Sequence, residues 1–241
     1  MNKPILGIIG GVGPLATAYF MEALIKRTPA ATDQQNMPMI VFNDPQIPDR
    51  TSYILDHSCP NPVPEMAKVA RWLEDAGADY IAIPCNTAHY FYDEIVRSVS
   101  IPVLNIMHEA AKRIAQAPDA QVVGLLATEG TVRSGVFQDY FEQMGLSVIV
   151  PDDSSQDVIS ELIYGQVKAN QPYDVQAFLS EAEKLRARGC DAVVVGCTEL
   201  SVIYQDLTDR PAWLFDSLDI LAERCVQVYL AARAAGSNVE M

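Results

Sequence analysis

The chain has little positive charge and no long hydrophobic run. Its 241 residues include 17 lysines and arginines against 31 aspartates and glutamates, a formal net charge of −14. We expect neither nucleic acid nor an anionic membrane as a partner, since both repel such a surface. No apolar run approaches the roughly 20 residues that a membrane helix needs. The amino terminus is typical of a strand and a glycine turn rather than of a secretory signal. These features predict a soluble, cytoplasmic protein.

Patterns typical of metal, disulfide and nucleotide sites are also missing. The five cysteines are odd in number and include no C-x-x-C pair, and the three histidines have no metal-binding spacing. We therefore expect no metal site and no disulfide framework. The turn 10–13 lacks the G-x-G-x-x-G spacing of a dinucleotide site. Its glycines, Gly11 among them, favour a close approach of the backbone to a small carboxylate.

The chain does contain a duplicated segment around two cysteines. The run GADYIAIPCNT at 77–87 aligns without a gap on GCDAVVVGCTE at 189–199. Each run indicates a glycine that ends a helix, an aspartate, a buried strand, and a cysteine at the strand's carboxyl end. Short apolar runs alternate with amphipathic helices along the rest of the chain, which is typical of a parallel α/β sheet. The predicted strands include 39–43, followed by a loop that contains Asp49, and 192–195. The predicted helices include 14–27, about 87–98, 132–144 and a last helix of about 217–234 that begins at an Asp216-Ser217 cap.

This pattern predicts an α/β fold with two pseudo-symmetric lobes. Each lobe is expected to be a mostly parallel sheet flanked by helices, with the active site in the cleft between them. The predicted first lobe comprises 1–104 and 213–241 and carries Cys85. The second comprises 105–212 and carries Cys197.

The strand ends supply the candidate site residues, because ligands of open α/β sheets lie beyond the carboxyl ends of the strands. Cys85 and Cys197 both precede predicted helix starts, where free N–H groups and the helix dipole lower the pKa of a thiol. One such cysteine is usually a small buried hydrophobe, but two at equivalent positions favour catalysis. The candidates for substrate binding are Gly11, Arg50, Asn86, Thr87, Thr128, Thr131, Lys168, Thr198 and Glu199.

Some of these candidates have an equally ordinary structural interpretation. Thr128 and Thr131 could donate to a carboxylate, or they could simply cap a helix. Arg50 and Lys168 could bind a side-chain carboxylate, although such residues are often solvated surface charges. His89 is interpreted as structural.

Two motifs resemble the paired signatures of the aspartate/glutamate racemase family: PCNTAH at 84–89 and GCTEL at 196–200. The turn 10–14 and the segment 62–66 resemble further parts of that family, so the resemblance covers nearly the whole chain. It implies an amino-acid racemase that needs no cofactor, with two pseudo-symmetric lobes and commonly a homodimer.

The resemblance also bears on the substrate. Glutamate racemases usually carry histidine where this chain has Glu199, and Arg50 and Lys168 match basic positions of the aspartate branch. The resemblance therefore implies a small acidic amino acid as the partner, aspartate before glutamate. The segment Asp216–Ile220 lacks a histidine that the family often has in its last helix.

The hypothesis for the reaction is racemisation by two bases. One cysteine thiolate removes the Cα proton, and the thiol of the other delivers a proton to the opposite face. Backbone N–H groups at 86–87 and 198–199 would hold the α-carboxylate, Glu199 the ammonium, and Arg50 with Lys168 the distal carboxylate.

Three alternatives stay open. The first is a cysteine-dependent isomerase or decarboxylase of a small diacid of the maleate or arylmalonate type, in which the two cysteines act asymmetrically. The second is a two-lobed protein that binds an acidic amino acid without turnover. The weakest is a dinucleotide-dependent enzyme.

Overall fold

The fold consists of two parallel four-stranded sheets that repeat one strand order. A computed structural model describes residues 3–237. The strands are β1 (Leu6–Gly10), β2 (Met39–Asn43), β3 (Tyr80–Ala82), β4 (Val103–Leu104), β5 (Val122–Leu126), β6 (Ser147–Ile149), β7 (Ala192–Val195) and β8 (Leu214–Asp216). The first sheet has the order β2-β1-β3-β4 and the second β6-β5-β7-β8. All the paired strands run parallel, which confirms the predicted α/β class with two similar sheets.

Helices flank both sheets. They are α1 (Pro14–Arg27), α2 (Arg50–Leu55), α3 (Val63–Asp75), α4 (Tyr92–Val96), α5 (Ile106–Ala115), α6 (Glu129–Ser134), α7 (Val136–Glu142), α8 (Asp153–Ser160), α9 (Val175–Ala187), α10 (Thr198–Gln205) and α11 (Ser217–Ser237). Two 3₁₀ helices (Asp33–Gln35 and Thr87–Phe91) and a π-helix (Glu161–Val167) complete the fold.

The duplicated runs form the same local structure in both halves. Gly77 and Gly189 follow α3 and α9 with φ of 93° and 92°, a conformation that glycine adopts without strain. Asp79 accepts a hydrogen bond from the N–H of Ile5 at 2.7 Å. Asp191 accepts the equivalent bond from the N–H of Val122 at 2.9 Å. Each aspartate thus fixes the first strand of its sheet beside the third.

One of three hydrophobic clusters joins the two sheets. The largest cluster of buried side chains includes Leu6 and Ile8 of the first sheet, Val123 and Leu125 of the second, and residues of α1, α5 and α11. The last helix packs on both α1 and α5. The predicted lobe boundaries stay a prediction, except that 214–216 were wrongly assigned to the first lobe, because β8 pairs with β7 in the second sheet.

Over residues 3–237, no helix is both long and apolar enough to cross a membrane. The predicted homodimer stays a prediction.

Candidate active site

The two cysteines lie at equivalent positions, just beyond the third strand of each sheet. Cys85 follows β3 and Cys197 follows β7. Both are free thiols, and they are only 5% and 3% exposed. The strand order of each sheet places the third strand next to the first, so the cysteines adjoin the turns after β1 and β5.

Two cavities lie at this edge of the sheets. The inner one, of about 10 Å³, is lined by Val12, Asp49, Arg50, Thr51, Cys85, Thr87, Thr128, Tyr164, Lys168 and Glu199. The outer one, of about 480 Å³, is lined by Gly11, Gly13, Pro14, Leu15, Ala16, Pro45, Ile47, Asp49, Arg50, Val167, Lys168, Asn170 and Glu199. Of these two cavities, only the inner one is lined by a cysteine, Cys85, and Cys197 lines neither.

Four charged residues line both cavities and separate one from the other; we call them the charged wall. They are Asp49, Arg50, Lys168 and Glu199. The ammonium of Lys168 lies 3.6 Å from Asp49 and 3.9 Å from Glu199. Arg50 is 6% exposed and Glu199 4%. The wall therefore contains two cations and two carboxylates, and Lys168 is paired with both carboxylates. Asp49 and Arg50 come from the first half of the chain, and Lys168 and Glu199 from the second.

Cys197 is held by Glu199. Its thiol donates a hydrogen bond to Oε2 of Glu199 at 3.1 Å. Burial raises the pKa of the Cys197 thiol well above its usual value, and the charge of Glu199 raises it further, while Lys168 opposes both. Cys197 is therefore a thiol rather than a thiolate in this arrangement.

Cys85 has the more cationic surroundings. The pKa of its thiol is nevertheless raised, chiefly by burial and further by the charge of Glu199. The charges of Arg50 and Lys168 and the N–H of Ala88 oppose this rise. Burial alone would lower the pKa of Arg50, but the charges of Cys85, Asp49 and Glu199 raise it. The predicted lowering of both thiol pKa values is thus wrong, because burial outweighs the N–H groups that follow each cysteine.

Several buried polar atoms at this site have no hydrogen-bond partner among the residues described. They are Nε of Arg50, Oδ1 of Asn86, Oγ1 of Thr198 and Oε1 of Glu199. The 3.9 Å between Glu199 Oε1 and Lys168 is an ion pair too long for a hydrogen bond. Arg50 and Glu199 line both cavities, whereas Asn86 and Thr198 line neither. Buried polar groups are rarely left unpaired, so the free atoms of Arg50 and Glu199 indicate a place for a polar ligand.

Three threonine hydroxyls join the two halves. The Oγ1 atoms of Thr87, Thr128 and Thr131 lie 3.0 Å from one another in a closed triangle. Thr128 also accepts from the N–H of Thr131 at 3.2 Å, so it caps α6. Thr87 and Thr128 line the inner cavity, whereas Thr131 lines neither cavity.

The glycines of the first turn make room for protein atoms. A Cβ at Gly11 would lie 2.2 Å from the backbone of Asp44, and one at Gly13 would lie 2.4 Å from Oε1 of Glu199. The sequence predicted that these glycines admit a carboxylate. Gly13 does so for the carboxylate of Glu199, while Gly11 is required by Asp44.

His89 has the structural role that was predicted. Its Nδ1 contacts the carbonyl oxygen of Cys85 at 2.9 Å, and its Nε2 accepts from the N–H of Ile106 at 3.2 Å. Since a carbonyl can only accept, Nδ1 carries the proton and the ring is neutral. The ring fixes the backbone of Cys85.

Sequence reasoning missed four residues of the inner cavity, which are Val12, Asp49, Thr51 and Tyr164. Asp49 lies in what was predicted to be a loop, but its carboxylate caps α2 by accepting from the N–H of Ser52 at 2.8 Å. Aspartate is a preferred N-cap residue, and that preference is the signal that could have identified this cap. Tyr164 is carried by the π-helix, for which the sequence has no comparable signal.

The chain is similar in sequence and in structure to proteins described as amino-acid racemases. The family model described as Asp/Glu/Hydantoin racemase matches residues 9–225. The broad specificity amino-acid racemase RacX of Bacillus subtilis is 31% identical over 235 residues, 94% of this chain and 99% of that protein. A glutamate racemase of Shewanella loihica is 29% identical over 157 residues, 63% of this chain and 57% of that protein. The structure of Picrophilus torridus aspartate racemase superposes with a TM-score of 0.79 at 30% identity, over 94% of both chains.

Proposed function

The chain belongs to the Asp/Glu/Hydantoin racemase family, and we propose that it racemises an acidic amino acid, aspartate in preference to glutamate, without a cofactor. The resemblance inferred from the two cysteine motifs is thereby confirmed at the level of the family. The observation that carries the proposal is the pair of buried cysteines at equivalent strand ends, which share Lys168 and Glu199 as charged neighbours.

In the proposed reaction the two cysteines act on opposite faces of one carbon. The thiolate of one removes the Cα proton and becomes a thiol, while the thiol of the other gives its proton to the other face and becomes a thiolate. The protons balance, and the reverse reaction exchanges the two roles. Cys197 is the thiol that delivers a proton first, because it already donates to Glu199. Cys85 is the first base, because Arg50 and Lys168 partly offset the rise in the pKa of its thiol that burial causes.

The Cα proton of an amino acid is a weak acid, so the developing carbanion must be stabilised. Backbone N–H groups of Asn86, Thr87, Thr198 and Glu199 follow the two cysteines, and they would hold the α-carboxylate as charge develops on it. The free Oγ1 of Thr198 would add a further hydrogen bond. Burial strengthens each of these interactions because water does not compete for the donors.

Arg50 and Lys168 are proposed to hold the distal carboxylate. The unpartnered Nε of Arg50 is a donor that a carboxylate would satisfy. Lys168 is paired in the free protein with Asp49 and Glu199, so a substrate carboxylate would compete for its ammonium. Glu199, relieved of that pair, would face the α-ammonium.

The test uses purified protein, no added cofactor and a panel of enantiopure amino acids followed by circular dichroism. We expect the signals of L- and D-aspartate to decay to zero fastest, glutamate more slowly, and alanine least. A different preferred amino acid would replace the substrate assignment. Stable signals for all of them, together with turnover of maleate or an arylmalonate, would replace the racemase by the diacid enzyme. Binding of aspartate without turnover would indicate a binding protein.

A further inference from the structure

Ser217, the first residue of α11, lies in a hydrogen-bond chain between the two cysteine-bearing segments. Its hydroxyl donates to the carbonyl oxygen of Val195 at 2.7 Å. The side-chain amide of Asn86 donates to the Ser217 hydroxyl at 2.9 Å. Ser217 is fully buried and Asn86 is 1% exposed, so water does not compete for either bond. We call this chain, from Asn86 through Ser217 to Val195, the serine bridge.

The serine bridge fixes which way the Asn86 amide points. A carbonyl oxygen cannot donate, so the single hydroxyl proton of Ser217 must go to Val195. The Ser217 oxygen can then only accept from Asn86. The amide must therefore turn its NH₂ group toward Ser217, which settles the nitrogen and oxygen positions on chemical grounds.

The consequence is a fixed acceptor in the segment next to the inner cavity, although Asn86 itself does not line that cavity. With its nitrogen committed to Ser217, Asn86 holds Oδ1 buried and without a partner. Its neighbours on both sides in the chain, Cys85 and Thr87, line the inner cavity. A buried acceptor without a donor is costly, and the α-ammonium is the strong donor that an amino acid would bring.

The serine bridge also joins the two cysteines through short stretches of chain. Asn86 directly follows Cys85, and Val195 comes two residues before Cys197. Ser217 itself belongs to a third segment, which begins after β8. A hydroxyl held on both sides in this way restricts how far the two cysteine segments can shift relative to each other.

From these contacts we infer that Ser217 is a positioning residue for racemisation: it orients Asn86 toward the α-ammonium and keeps the two thiols in register. The inference rests on the proposed function, since it concerns the alignment of the two bases. A small misplacement of either cysteine should slow racemisation strongly, because a proton must reach the carbanion within its short lifetime.

The test compares Ser217→Ala with wild type in deuterated water, using the amino acid that wild type racemises fastest. NMR and chiral chromatography measure deuterium gained by the starting enantiomer and deuterium in the inverted product. We expect exchange with retention, relative to inversion, to rise about tenfold in Ser217→Ala, the effect of one lost hydrogen bond. We also expect KM to rise, because the amide is no longer fixed. Ser217→Thr keeps the hydroxyl and should restore the wild-type ratio.

Thr28→Ala is the matched control, since Thr28 is also buried and its hydroxyl also donates to a main-chain carbonyl, that of Leu24 at 2.8 Å. It should lower Tm without changing the ratio. If Ser217→Ala does not fold, Ser217→Cys takes its place, and its weaker donor and acceptor should raise the ratio in the same direction. A folded Ser217 variant lacking the hydroxyl, with the wild-type ratio and KM, would overturn the inference alone. Wild type that racemises nothing would remove the proposed function and this inference together.

Discussion

At the scale of single residues, the site is a balance of charges held away from water. The charged wall contains Arg50 and Lys168 against Asp49 and Glu199, so it is formally neutral before a ligand arrives. Arg50 is held by the main chain, because its Nη1 donates to the carbonyl oxygens of Ile47 and Pro48 at 3.2 and 3.0 Å. Those two bonds fix the guanidinium and leave Nε free for a ligand.

Arg50→Lys should therefore weaken the binding of acidic substrates. Lysine cannot reproduce the planar fork of donors, and a hydrogen bond to a charged group corresponds to roughly a ten- to hundredfold change in affinity. We expect KM for aspartate to rise by about that factor, with a smaller change in kcat. Steady-state kinetics measures both. Arg97→Lys, at an exposed arginine of α4's carboxyl end, is the control. An unchanged KM for aspartate would show that Arg50 does not contact the substrate.

His89 makes a prediction about pH and stability. Burial lowers its pKa from 6.5 to about 4, although its contacts with the carbonyls of Cys85 and Leu104 oppose the change. Between those values the unfolded chain binds the proton and the folded protein does not. The contribution of His89 is therefore fully present above pH 6.5 and is lost as pH falls toward 4.

The matched variant for this effect is His89→Gln, which does not titrate. From pH 7 to pH 4 we expect wild type to lose about 3 kcal/mol more of its free energy of unfolding than His89→Gln does. Chemical denaturation at several pH values measures this difference. Comparing the two proteins cancels other groups, including Asp216, whose pKa is raised to about 7 by burial and by the charge of Asp219. Parallel pH profiles would contradict a neutral, buried His89.

At the scale of elements, the sequence predicted the bounds of those helices and strands that local patterns determine. Helix α1 and strands β2 and β7 begin and end where the apolar patterns predicted. The helix predicted over about 132–144 is interrupted at Gly135, whose φ of 71° ends one helix and begins another. The one predicted over about 87–98 begins instead as a 3₁₀ helix. Such breaks depend on packing between elements, which no window of sequence contains.

The same distinction holds for the site. Cys85 and Cys197 could be found from the duplicated motif, since each motif is local. Their thiol pKa values could not, because burial is a property of the assembled fold. The serine bridge also escaped prediction: Asp216 and Ser217 were visible only as a helix cap, and their contact with Asn86 spans 131 positions.

The contact between α2 and α6 gives a prediction at this scale. A Cβ on Gly130 would lie 2.9 Å from the Cα of Thr51, so Gly130→Ala must push the two helices apart. We expect a loss of about 1–3 kcal/mol in the free energy of unfolding and a lower kcat, because Thr51 lines the inner cavity. Denaturation and rate measurements test both.

Arg133→Ala is the control for Gly130→Ala, since it lies on the same helix with its side chain 69% exposed and its surface ion pair is worth little. Equal stability of Gly130→Ala and wild type would show that the contact between α2 and α6 accommodates a methyl group without strain.

At the scale of the whole molecule, three features join the two halves. The shared core, the threonine triangle and the serine bridge connect them. The inner cavity of about 10 Å³ is room for no more than a single water, so an amino acid must widen it on binding. The Asp49–Lys168 contact of 3.6 Å in the charged wall also crosses between the halves.

The central claim is that Cys85 and Cys197 act from opposite faces of one carbon, and deuterium incorporation into each enantiomer by Cys85→Ser and Cys197→Ser tests it most directly. In deuterated water each variant should lose racemisation. Each should still exchange the Cα proton of one enantiomer only, and the two variants should exchange opposite enantiomers. Exchange of the same enantiomer by both variants, or racemisation at the wild-type rate by either, would contradict the account.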